Sequence, residues 1–130
     1  MSRFERKNHR VFNVSYHLIF VTKYRKQLLT DEYKTKVKKY LLEKANQLNV
    51  KIEKHEVMPD HVHLFIKCSP NIKISDLVKN LKGYSSYMLR QSYKSKNQFK
   101  HLWSPSYYCE TIGHISEQTI KKYIEDQSKV

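Results

Sequence analysis

Residues 58–68 read MPDHVHLFIKC. Pro59 and Asp60 close a turn, and the apolar run behind them reads as a strand that begins with two imidazoles, His61 and His63. Residues i and i+2 of a strand share a face, so the two rings stand side by side, about 7 Å apart along the chain. Such a pair can supply two coordination positions to a metal, with a third ligand from elsewhere in the fold. It can equally be two packed histidines.

Working outward from that strand, residues 50–58, VKIEKHEVM, form the preceding strand of a hairpin whose turn is Pro59–Asp60. Near the start, VFNVSYHLIFVTKYRK alternates, with Phe12, Val14, Tyr16, Leu18 and Phe20 on one face and Asn13, Ser15 and His17 on the other. This predicts a strand with one buried face. Thr30 is placed as an N-cap, with Asp31 and Glu32 in the first turn. Val37, Leu41, Leu42, Ala45 and Leu48 follow at helical spacing, and the helix should end near Asn49. A second helix from Ser75 carries Leu77, Val78, Leu81, Met88 and Leu89. Gly83 in its middle costs about 1 kcal/mol against Ala, which points to close approach of something to the backbone or to a tight helix-to-sheet contact. SYKSKNQFK, residues 92–100, is expected to be a mobile basic loop. LWSPSYYCETIG then gives a fourth strand limited at its start by Pro105, and a last helix runs from a Ser116 N-cap through EQTIKKYIEDQ. The order β-α-β-β-α-β plus a helix is that of α+β, ferredoxin-like or RRM-like antiparallel sheets, with the first and third strands central neighbours.

The 130 residues suffice for one domain, 1–130, with a core that needs no staples. Cys68 and Cys109 are expected to be free buried thiols. The basic start has no apolar leader and no run reaches the roughly 20 residues of a membrane span, so a cytoplasmic, membrane-free protein is expected. A formal charge of +13, with ten Tyr, five Phe and one Trp, favours a polyanionic partner and offers rings for stacking bases. Simple solubility, or attraction to acidic membranes, is the alternative.

Several chemistries drop away. A histidine-triad hydrolase needs a third His where Phe65 stands, a zinc protease needs H-E-x-x-H, and a Ser-His-Asp site needs a G-x-S-x-G elbow. In KKYIEDQ, Tyr123 and Gln127 lie four apart on one helical face. A phenol has a pKa near 10, but beside a divalent ion it can attack phosphorus, and an amide oxygen can serve as a third ligand. Ile120, Tyr123 and Ile124 also form a stripe of the kind that packs a core.

YHLIFVTKYRK, VMPDHVHLFI, LWSPSYYCETIG and IKKYIEDQ, together with LKGYSSYMLR, span nearly the whole chain in order. In these blocks the sequence resembles the small single-domain HUH transposases, with one catalytic tyrosine, of bacterial and archaeal insertion sequences (the two-hundred/six-hundred-and-five group). The resemblance implies that His61 and His63 bind Mg2+ or Mn2+ with Gln127 as third ligand. It makes Tyr123 the nucleophile on single-stranded DNA, giving a 5′-phosphotyrosine and a free 3′-OH. It also implies a homodimer in which the tyrosine helix of one subunit can complete the other's site, hairpins at the element ends as the DNA partner, no small-molecule substrate, and a place at the nucleoid. The absence of a long tail favours the insertion-sequence enzyme over longer chromosomal relatives. Lys23, Arg25, Lys79 and Lys82 are the residues placed on the DNA backbone, the alternative for each being a solvated charge. A non-catalytic single-strand-binding module on an RRM-like sheet is the competing reading.

Overall fold

The computed structural model describes residues 14–112 and 117–127, the side chains of 117–121 excepted. The elements are β1 (Val14–Val21), α1 (Asp31–Gln47), β2 (Lys51–Met58), β3 (His61–Cys68), α2 (Ile74–Ser92), β4 (Tyr108–Thr111) and α3 (Glu117–Gln127). The sheet is antiparallel in the order β2-β3-β1-β4. This is the expected α+β arrangement, with β1 and β3 in the centre. Among the described residues no helix is long and apolar enough to cross a membrane. The expected Ser116 cap, Phe12, Asn13 and the Ile120 side chain lie outside what is described.

Strand β3 shows why the hairpin forms as it does. Val62, Leu64, Ile66 and Cys68 are buried in the helix-side core, while His61, His63, Phe65 and Lys67 take the other face. Burial of the first set against α1 and α2 fixes the register, because a one-residue slip would exchange the two faces. Val37, Tyr40, Leu41 and Ala45 of α1 and Leu77, Val78, Leu81 and Leu89 of α2 complete that core. β2 is an edge strand, largely exposed and rich in Lys and Glu, the composition that discourages further strand pairing. Both cysteines are free, Cys68 buried and Cys109 half-buried.

Three details differ from the reading of the sequence. Ile19 and Val21 are as fully buried as Leu18 and Phe20, and His17 is only 3% exposed. The second half of β1 is therefore covered on both faces, as its continuous run LIFV permits. The fourth strand is shorter than LWSPSYYCETIG: only Tyr108–Thr111 pairs along β1, while Trp103 makes a single bridge to Thr22. Gly83 does not serve a tight helix-to-sheet contact, since a Cβ added there would meet nothing within 4 Å. The basic loop after α2 is anchored by Phe99, which is fully buried and packs edge-on against Tyr33.

Candidate active site

The turn before β3 is clamped from outside the hairpin. Thr22 N–H donates to the Asp60 carbonyl and Leu29 N–H to the Pro59 carbonyl, both at 2.9 Å. After Thr22 the chain passes through left-handed conformations at Tyr24 (φ 58) and Arg25 (φ 52), uncommon for residues with a Cβ. The reversal brings Arg25 Nε to Asp60 Oδ2 at 2.8 Å. Asp60 Oδ1 lies 2.7 Å from His61 Nδ1. Burial alone would raise the Asp60 pKa; the hydrogen bonds from His61 and Arg25 outweigh it and hold the carboxyl below its usual range. An ionised carboxylate only accepts, so His61 donates an N–H from Nδ1 to Asp60 and turns Nε2 away from it.

His63 stands beside His61, ring centroids 5.0 Å apart and nearly perpendicular. Its Nδ1 lies 3.0 Å from Nε2 of His17 on β1. Burial, then the neighbouring His61, lowers the His63 pKa, against an upward pull from Glu56. Burial, then His63, lowers that of His17 to about 4, so His17 is neutral at physiological pH. Each histidine of the pair thus has one nitrogen engaged and Nε2 uncommitted among the described contacts.

Cross-strand register locates the tyrosine relative to this pair. His63 pairs with Ile19, and Ile19 pairs with Tyr108, so the three side chains share one face. Two strand spacings separate Tyr108 from His63, about 10 Å. Tyr123 of α3 packs on Tyr108 with ring centroids 5.8 Å apart. Tyr123 therefore packs at the β4 edge of the sheet, on a residue that shares the histidine face. The Tyr123 hydroxyl is buried and closes no hydrogen bond of regular geometry among the described residues. Burial pushes its pKa up to about 12, partly offset by the nearby Ser106 side chain. One turn on, Gln127 Oε1 accepts from the hydroxyls of Ser104 and Ser106, each at 2.7 Å.

A family model described as "Transposase IS200 like" matches residues 10–127. The chain belongs to the IS200-like transposase family. It is 40% identical to the ISDra2 transposase TnpA of Deinococcus radiodurans over 120 residues, 90% of this chain and 86% of that one. Identity to the transposase of insertion sequence element IS200 from Salmonella typhimurium is 32% over 122 residues, 92% and 80% of the two chains. A crystal structure of a protein assigned as a transposase from D. radiodurans superposes with TM-score 0.80 at 35% identity, covering 98% of each chain. A REP-associated tyrosine transposase bound to a REP hairpin shares the fold, with TM-score 0.61 at 16% identity over 97% of this chain and 68% of that one.

Against this family background the four lysines and arginines singled out from sequence separate into two kinds. Arg25 is turned onto Asp60, and Lys82 Nζ donates to the carbonyls of Ser104 and Ser106 at 2.7 and 2.8 Å. Burial lowers the Lys82 pKa to about 8. Lys79 is exposed and Lys23 half-exposed; both line an open cleft of about 530 Å3 that also reaches Lys82, Gly83, Lys100 and Trp103. Sequence reading missed His17, Asp60, Ser104 and Ser106 as parts of the site. His17 had a visible signal: an imidazole running directly into an apolar stretch, a poor position for a solvated side chain.

Proposed function

We propose that this chain is an insertion-sequence transposase that cleaves and rejoins single-stranded DNA through a 5′-phosphotyrosine on Tyr123. The observation that carries the reading is the packing of Tyr123 on Tyr108, a residue whose side chain shares the sheet face of His61 and His63. The donor set fits a divalent cation. His61 and His63 offer Nε2, their other nitrogens being engaged by Asp60 and His17, and Gln127 offers an amide oxygen once released from its serines. Two imidazoles with oxygen donors suit Mn2+, and Mg2+ with additional waters. Bound there, the ion supplies positive charge that stabilises the phosphate oxygens and favours the phenolate over the phenol.

The protein's own side chains do the rest. Tyr123 Oη forms its bond to phosphorus as the P–O3′ bond breaks; the phenol loses its proton and the 3′ oxygen gains one. One phosphodiester is exchanged for another, so rejoining needs no ATP. Lys23 and Lys79, facing the open cleft, are the lysines placed to hold DNA phosphates, consistent with the +13 charge. The hairpin-bound structural neighbour and the family membership support hairpins at the element ends as the DNA partner. A homodimer acting on DNA at the nucleoid belongs to the same proposal.

The test is to incubate the protein with a single-stranded hairpin oligonucleotide and Mn2+ and look for an adduct that survives denaturation. The expected result is an adduct with the parent chain and none with Tyr123→Phe. No adduct from the parent would favour a non-catalytic binding module, and an adduct from the Phe variant would remove Tyr123 as nucleophile.

A further inference from the structure

We infer that His17 is a positioning residue that orients the His63 ring and accepts its Nδ1–H when Nε2 ligates a metal. The inference rests on the reading of His61 and His63 as a metal pair and adds a residue to it. His17 lies on β1, two residue pairs along from Ile19, which faces His63; its own partner on β3 is Phe65. Its ring stacks flat on Phe65, centroids 4.3 Å apart and planes at 8°, which fixes the plane of the imidazole. From that plane Nε2 reaches His63 Nδ1 at 3.0 Å. With 3% of the residue exposed, water has little access to compete for this contact.

The two histidines of the pair are therefore oriented by unlike neighbours. Asp60 can only accept, so it dictates an N–H on Nδ1 of His61. An imidazole can accept or donate, and the His17–His63 contact holds one proton between its two nitrogens. With the proton on His63 Nδ1, His63 keeps a lone pair on Nε2 and His17 carries its own proton on Nδ1. With the proton on His17 Nε2, His63 Nε2 is an N–H and cannot ligate.

A cation on His63 Nε2 selects the first arrangement, because a lone pair there requires the shared proton on His63 Nδ1. His17 Nδ1, on the far side of the ring, is buried and has no hydrogen-bond partner among the described residues, so the contact with His63 is the one that orients the ring. His17 then accepts from the second histidine as Asp60 accepts from the first. Outer partners of this kind raise ligand basicity and fix orientation, and losing one typically weakens metal binding by about 10- to 100-fold.

Two measurements on the full chain test this. In metal-free protein labelled with 15N-histidine, the Nδ1 shift of His63 should report a hydrogen-bonded nitrogen in the parent and lose that signature in His17→Phe. A His63 Nδ1 shift unchanged by His17→Phe overturns the inference. In Mn2+ titrations followed by calorimetry, His17→Phe, which preserves the stack on Phe65, should bind about 10- to 100-fold more weakly. His17→Gln, which restores an acceptor, should recover part of the loss. Parent-like Mn2+ affinity in His17→Phe overturns the inference while leaving the metal pair intact. Parent-like affinity in His63→Ala instead removes the metal pair itself, so the two failures are distinguishable. Should His17→Phe fold poorly, His17→Leu read by the same two measurements still decides.

Discussion

Asp60 Oδ1 and His61 Nδ1, on consecutive residues, lie 2.7 Å apart. That contact exists because the Pro59–Asp60 turn is held from outside by Thr22 and Leu29, and because Arg25 occupies the second carboxylate oxygen. Asp60→Ala should free the His61 ring to rotate and change tautomer, weakening Mn2+ binding by about 10- to 100-fold. Arg25→Ala leaves the carboxylate facing His61 and should have the smaller effect. Calorimetric titration of both variants checks the order; an equal loss in the two would mean that Arg25 positions Asp60 rather than merely neutralising it.

Gln127 is engaged in a different way. Its side-chain oxygen accepts two hydroxyl hydrogen bonds, from Ser104 and Ser106, and so has no lone pair left for an ion. Release of the two bonds costs about 1 kcal/mol each, and a ligand available only in a minor state binds with proportionally reduced apparent affinity. The double variant Ser104→Ala with Ser106→Ala should therefore bind Mn2+ about tenfold or more tightly, while Gln127→Ala should bind it more weakly than the parent. Identical titrations for all three chains would take Gln127 out of the ligand set.

What the sequence made legible follows from the range of the interactions. The face shared by His61 and His63 is set by the two-residue period of a single strand, and the common side of Tyr123 and Gln127 by one helical turn, so both are local. The role of His17 depends on β1 lying beside β3 in one register, a relation across 46 residues; alternation alone had put it on an open polar face. Asp60 read only as a turn residue because its second partner, Arg25, is 35 positions away. Ser104 and Ser106 flank Pro105 in a stretch with no period at all, and only the docking of α3 gives their hydroxyls a purpose.

Lys82 spends its ammonium group on the carbonyls of Ser104 and Ser106, the same two residues whose hydroxyls hold Gln127. Its charge is therefore a supporting strut for that loop more than a free contact for phosphate. Lys82→Met should leave the salt dependence of hairpin binding nearly unchanged, whereas Lys23→Ala or Lys79→Ala should each reduce the slope of log K against log salt by about 1. A pH signature accompanies this. The folded-state pKa of Lys82, lowered by burial to about 8, lies below its ordinary 10.5, so between these values the unfolded chain binds the extra proton. Stability relative to Lys82→Met should rise as pH climbs from about 8 to 10.5 and be flat outside that window. Urea midpoints of the two chains across that range provide the measurement; a parent that loses ground to the Met variant as pH rises would reverse the assignment.

Among the contacts of helix α3 with the rest of the described chain are Tyr123 on Tyr108, Gln127 on Ser104 and Ser106, and the short turn at Lys23–Arg25. A C-terminal element can make the same contacts on a second copy, which is the condition for exchange of an identical element between protomers. Mixing Tyr123→Phe protein with His61→Ala protein tests whether this happens during cleavage. Each parent variant lacks one half of the site and should form no denaturation-resistant adduct alone. In an equal mixture of freely exchanging dimers, half are mixed, and each mixed dimer holds one complete shared site of two, so recovery should approach about a quarter of the parent level. If the tyrosine acts only on the histidines of its own chain, the mixture stays inactive at every ratio, and Tyr123 works from the position over Tyr108 that it occupies here.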